Sequence, residues 1–190
     1  MEMRDVLQLA IETLGRLRIP YLLCGSVASG GYGEPRMSRD IDFVIALPRE
    51  KATILCDTFP APEFVVSNAA AIEAVRSEKQ FSVRHLASGN KIDFLIARDC
   101  VWSRLQFDRR QQVTLLENVE GFVMSPEDLI LSKMYSYHEG GLEKHLRDIT
   151  GILSIQAEKI DRDYISQWAM RLEVAEVWSA ILGRMERVEG

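Results

Sequence analysis

Residues 41–47 read IDFVIAL and residues 91–97 read KIDFLIA. Short apolar runs of this kind, rich in β-branched and aromatic residues, read as strands of a buried sheet. Yet both admit acids. In the stretch RMSRDIDFVI (36–45), strand alternation puts Asp40 and Asp42 on one face and Ile41, Phe43 and Ile45 on the other. In the second run Asp93 shares its face with Lys91 and Leu95, while Ile92, Phe94 and Ile96 point the opposite way.

Carboxylates two residues apart on a strand lie about 7 Å apart at their Cα atoms. Unpaired, they repel one another and resist burial. Two readings follow: a strand end left in solvent, or a site for a hard divalent cation such as Mg²⁺, which takes one or two carboxylates plus water and phosphate oxygens. Asp93, brought beside the first strand, would add a third carboxylate. Three such groups can hold two metal ions in the clamp used for phosphoryl and nucleotidyl displacement. The third acid is also placed to take a proton from an attacking hydroxyl. Its bland alternative is a hairpin residue paired with a nearby arginine such as Arg84.

Upstream, Gly25-Ser26 follows the apolar run 20–24 (PYLLC) and opens a short helix. Such a junction directs backbone N–H groups and a hydroxyl at an anion, typically a phosphate. It is equally a plain serine-capped turn. Arg36 and Arg39 either hold a triphosphate or screen Asp40.

Helical spacing marks residues 4–18, and helices are also expected at 49–58 and 68–79. Ser88-Gly89-Asn90 signals a hairpin between 81–87 and 91–97, and a weaker hairpin joins 112–117 to 121–124. Ser125-Pro126-Glu127-Asp128 is a helix start, with a serine cap and proline at the first helical position. Helices are then expected near 126–138, 142–156, 161–170 and 173–187. The chain therefore reads as an α/β core over 1–124 and a helical C-terminal region over 125–190, packed on the core as one compact unit.

The net charge of −5 gives no global attraction to nucleic acid. Residues 98–110 mix Arg98, Arg104, Arg109 and Arg110 with Trp102 and Phe107, but Asp99 and Asp108 dilute the charge, and a solvated face is favoured over an RNA patch. The three widely spaced cysteines carry no metal spacing and suit a reducing compartment. With no leader-like start and no apolar run of about 20 residues, the expectation is a cytoplasmic protein without a membrane span. His85, His138 and His145 show no ligand spacing or nucleophile pairing, so a hydrolase triad is not expected. Trp168 and Trp178 read as packing between tail helices, or as a dimer face.

Taken in order, CGSVASGGYGEPRMSRDIDFVIAL, the later Asp93 strand, SPEDLILSKMY and EKHLRDI resemble the DNA polymerase β superfamily of nucleotidyltransferases. The resemblance is closest to the minimal AbiEii-like members of toxin–antitoxin and phage-defence systems, and it spans roughly residues 20–150. It implies a nucleotidyltransferase-type mixed β-sheet flanked by helices. It also implies transfer of an NMP from an NTP, ATP among the candidates, to a hydroxyl of RNA (tRNA, for instance) or of a protein. By resemblance, Gly25, Ser26 and Arg39 meet the triphosphate, and Asp40, Asp42 and Asp93 bind two Mg²⁺ ions. Lys133 and Lys144 approach the phosphates, and Asp148 is the last acid of a Lys-Asp-x-x-Asp block. His145 stands where that block has its first acid. A cognate antitoxin or toxin is an implied partner. A catalytically inactive nucleotide- or partner-binding module of the same fold is the alternative.

Overall fold

The structure is a computed structural model that describes residues 1–189. In chain order the elements are α1 (Met3–Arg16), β1 (Tyr21–Cys24), α2 (Gly25–Tyr32), β2 (Asp40–Ile45), α3 (Ala52–Asp57), β3 (Phe64–Val65), α4 (Asn68–Ser77), β4 (Gln80–His85), β5 (Lys91–Ile96) and α5 (Val101–Asp108). There follow β6 (Gln111–Thr114), β7 (Glu120–Val123), α6 (Pro126–Gly140), α7 (Glu143–Gln156), α8 (Arg162–Arg171) and α9 (Ala175–Glu189). They divide into two compact units: Met1–Val27 with Met37–Met124, and Ala28–Arg36 with the chain from Ser125 onward. No described helix is long and apolar enough to cross a membrane.

The first unit holds a seven-stranded mixed sheet in the order β3-β4-β5-β2-β1-β7-β6. The pairs β2/β5 and β1/β7 run parallel, and the other pairs antiparallel. Alternation sorts the central strands into two faces. One carries Phe43, Phe94, Ile41, Ile45, Ile92, Phe81 and Val83, all buried. Phe94 is the hub of this layer. Its ring centroid lies 5.9 Å from that of Phe43, 6.2 Å from Phe59 and 5.2 Å from Phe81. Burial of three or four aromatic rings in one cluster is the main apolar driving force of the unit.

The β4–β5 hairpin forms over the expected turn and is fastened from within. The Ser88 backbone N–H donates to His85 Nδ1 at 3.2 Å, and the Ser88 hydroxyl lies 2.8 Å from the same nitrogen. His85 Nε2 faces Glu63 Oε1 at 3.4 Å, and the imidazole sits 5.2 Å from the Phe64 ring. A histidine–serine contact therefore exists, though not as a nucleophile arrangement. It is folded into a turn, where it clasps two strands. Two elements escaped the sequence reading: β3, which is only two residues long, and α5, which lies in the segment weighed as a basic patch.

The second unit is helical. Helix α6 is buried over residues 126–134 apart from half-buried Ser132, including Leu129, Ile130, Leu131 and Met134, and turns outward beyond them. Its start follows the cap read from the sequence. The Asp128 backbone N–H donates to Ser125 Oγ at 3.2 Å, and the Ser125 hydroxyl donates to Asp128 Oδ2 at 2.8 Å. The Tyr164 hydroxyl donates to Asp128 Oδ1 at 2.7 Å and so ties α8 to α6. Trp178 is buried, with its indole N–H donating to Ser166 Oγ at 3.0 Å. Gly33 belongs to this unit because a β-carbon there would lie 2.9 Å from the Ile152 backbone nitrogen of α7.

Removing the Phe94 ring leaves a cavity at the centre of the aromatic layer. Phe94→Ala is expected to cost about 3–5 kcal/mol, measured by chemical denaturation of the full chain.

Candidate active site

The second face of the central strands carries the acids. In register, Cys24 of β1 stands opposite Asp42 of β2, Asp42 beside Asp93 of β5, and Asp93 opposite Ser82 of β4. One row further along, Asp40 stands beside Lys91, and Lys91 opposite Arg84. Neighbouring strands lie about 4.8 Å apart, so Asp42 and Asp93 are adjacent on one face. Asp40 is exposed, Asp42 half-buried, and Asp93 is only 6% exposed.

Burying a carboxylate requires compensation. Asp93 has two partners. The Ser82 hydroxyl donates to Oδ1 at 2.5 Å, and the Lys91 ammonium donates to Oδ2 at 2.7 Å. Lys91 Nζ also lies 3.4 Å from Asp40 Oδ1. The hydrogen bond to Asp93, with the charges of Asp93 and Asp40, pushes the Lys91 ammonium above its usual range despite partial burial. Arg84, the arginine weighed as a partner for Asp93, instead stands in register with Lys91. Among the described residues no three His, Cys, Asp or Glu side chains gather closely enough to hold a metal ion. The donor set nevertheless suits a hard cation: carboxylate oxygens from neighbouring strands, with an ammonium standing between two of them.

Gly25 opens α2 at the end of β1 with φ +66, a left-handed conformation that favours glycine. A β-carbon at this position would lie 1.9 Å from Asp42 Oδ2. The glycine–serine bend and the central acid are thus in direct contact. Ser26 follows, buried, in the first turn of α2. Arg39 lies beside the β4–β5 turn: a β-carbon at Gly89 would sit 3.8 Å from its Nη1, and its carbonyl accepts from the Lys91 N–H at 2.8 Å.

Lys133, Lys144 and Asp148 belong to the second unit. Asp148 is buried between two cations. Arg36 Nε donates to Oδ1 at 2.9 Å and Nη2 to Oδ2 at 3.3 Å, while Lys133 Nζ donates to Oδ2 at 2.6 Å. Burial pushes the Asp148 carboxyl up, but the hydrogen bonds from Arg36 and Lys133 outweigh it and hold the group below its usual range. Lys144 is exposed. His145, one turn before Asp148 on α7, has a buried Nδ1 with no hydrogen-bond partner. Burial, then the charges of Lys133 and Lys144, push its pKa down. In sequence, Lys91 reads only as sharing a face with Asp93, and Arg36 as holding a triphosphate or screening Asp40. Their partners, Asp93 with Asp40 and Asp148, emerge from strand register and from the chain's return over a long span.

Residues 15–177 match the family described as nucleotidyl transferase AbiEii toxin, Type IV TA system. Among solved structures, the chain is similar to an antigenic nucleotidyltransferase-like protein from Paracoccidioides brasiliensis, with 21% identity, a TM-score of 0.54, and 81% of this chain and 75% of that chain covered. It is also similar to ANT(2")-Ia in complex with adenylyl-2"-tobramycin, with 16% identity, a TM-score of 0.54, and 95% and 97% covered. A third similar structure is the lincosamide antibiotic adenylyltransferase LnuA in its lincomycin-bound form, with 14% identity, a TM-score of 0.51, and 76% and 92% covered. At these identities the likeness establishes a nucleotidyltransferase fold. Among curated proteins no sequence match is found.

Two outcomes follow from this geometry. Gly25→Ala is expected to cost about 2 kcal/mol or more, from the left-handed backbone and the collision with Asp42. In a double-mutant cycle read by denaturation, Asp42→Ala should return the steric share and leave the backbone share. The second concerns His145. A histidine held below its usual value is favoured as the neutral ring, so its contribution is complete above the ordinary 6.5 and fades as the pH falls from there through the lower folded value. Stability should therefore decline as the pH is lowered below 6.5, and His145→Gln should flatten that part of the profile of unfolding midpoint against pH.

Proposed function

This chain belongs to the AbiEii nucleotidyl transferase family, and from that premise we propose that it moves an NMP from an NTP to a hydroxyl group, with divalent cations held by Asp40, Asp42 and Asp93. What supports the reading is one chain of contacts: Gly25 against Asp42, and Asp42 beside Asp93. A phosphate turn and an acid pair are thereby joined on one edge of the sheet face.

Each group has a task in this reading. The N–H groups that open α2, with the Ser26 hydroxyl, receive phosphate oxygens. Arg39 adds a guanidinium that suits a triphosphate. Mg²⁺ held by the three acids would neutralise charge on the transferring phosphoryl group. Asp93, oriented by the hydrogen bond from Ser82, accepts the proton of the attacking hydroxyl. The hydroxyl oxygen bonds to the α-phosphorus, the bond to pyrophosphate breaks, and pyrophosphate leaves with its electrons. In the second unit, Lys144 is exposed, whereas Lys133 serves Asp148.

The acceptor is RNA, a tRNA end for example, or a protein, and the family description adds an antitoxin as partner. A second reading, nucleotide or partner binding without transfer, draws on the lysine that already occupies two of the acids.

Incubation with each labelled NTP, Mg²⁺ and total RNA or lysate protein separates the two. Labelled product is expected, and NTP binding without product would favour the second reading. Asp42→Asn should lower transfer by at least about 100-fold, as loss of one electrostatic group in a catalytic site does, with the circular dichroism spectrum unchanged. Undiminished transfer by that variant would refute the assignment.

A further inference from the structure

The acid face contains a charge that the proposed chemistry does not use. Lys91 reaches Asp93 Oδ2 on its own strand at 2.7 Å and Asp40 Oδ1 on the neighbouring strand at 3.4 Å. Ser82 takes the other oxygen of Asp93 at 2.5 Å. Both oxygens of the most buried acid are therefore engaged, one of them by a cation that is part of the chain.

From this we infer that Lys91 is a tethered counter-ion: its ammonium holds Asp40 and Asp93 together without metal, and a divalent cation binds by exchange with it. The inference rests on the reading that these acids hold cations.

The physical case is one of substitution. Asp93 is 6% exposed, and burying a carboxylate is costly without a compensating group. An ammonium on a flexible four-carbon stem is a compact point charge that can occupy such a place and also leave it. The Lys91 side chain is 28% exposed, so a route into solvent is open to it. Register fixes where the stem begins, because Lys91 is the strand neighbour of Asp40 and stands two residues from Asp93 on the same face. Lys91 is accordingly a positioning residue that prevents the acids from repelling one another before cations arrive.

The test uses unfolding temperature in a chelator and Mn²⁺ binding by calorimetry on the full chain. Lys91→Met should lower the unfolding temperature by several degrees in EDTA. Mn²⁺ should restore it toward the wild-type value, and the variant should bind Mn²⁺ several-fold more tightly, because no lysine has to be displaced. Lys91→Met combined with Asp93→Asn removes the charge together with its partner, and should be as stable in EDTA as the wild type.

An unchanged unfolding temperature for Lys91→Met in EDTA would overturn the inference. So would equal or weaker Mn²⁺ affinity while the wild type still binds, and that result leaves the cation reading standing. Absence of Mn²⁺ binding by wild type and variant alike would sink the cation reading itself. Should Lys91→Met fail to fold without metal, folding in Mn²⁺ or folding of the double variant supports the inference. Failure of both overturns it.

Discussion

A carboxylate shut away from water must be met by a donor or a cation, and much of the site's arrangement around Asp93 follows from that demand. The parallel pairing of β2 with β5 places Asp42 beside it, and the antiparallel pairing with β4 brings Ser82 opposite. Lys91 then closes the remaining side. None of these partners is near Asp93 by chance of side-chain reach. Asp42 and Ser82 are delivered by register, and a slip of one residue in either pairing would turn that strand's partner to the aromatic face; Lys91 is delivered by strand alternation, two residues before Asp93. The stacked rings of Phe43 and Phe94 hold the register from behind. The apolar layer and the acid face are in this sense two sides of one constraint.

The helical unit solves the same problem with different residues. Asp148 lies between the Arg36 fork and the Lys133 ammonium, and these contacts outweigh the cost of its burial. His145, one turn away, is pressed toward its neutral form first by its own burial and then by the positive charges of Lys133 and Lys144. A histidine at this point fits that balance: the neutral ring adds no further charge.

Several of these features are legible in the sequence. The acids stand out because they interrupt apolar runs, and strand alternation alone sorts Asp40, Asp42 and Asp93 from their hydrophobic neighbours. Ser125-Pro126 announces α6 because capping is a local interaction. What was not legible is what depends on pairing across the chain. Lys91 could be placed on the face of Asp93 but not joined to Asp40, since that contact exists only once β2 and β5 are aligned. The Arg84 alternative failed for the same reason, as register gives Ser82 to Asp93. Strand β3 has two residues and no periodicity to read. The His85 clasp joins a histidine to a serine three positions on and needs the turn itself to exist.

The helical unit is not one continuous stretch of chain, because Ala28–Arg36 belongs to it. Arg36 and Asp148 are separated by 112 positions. During synthesis the guanidinium emerges ahead of its partner and waits until the residue 112 positions further on has followed it. A fragment beginning at Ser125 would lack the loop that carries Arg36, and one ending at Met124 would strand it without a carboxylate. Attempts to express either half in isolation, or to graft the helices onto another scaffold, must therefore carry this early segment along or re-join the termini so that it travels with them.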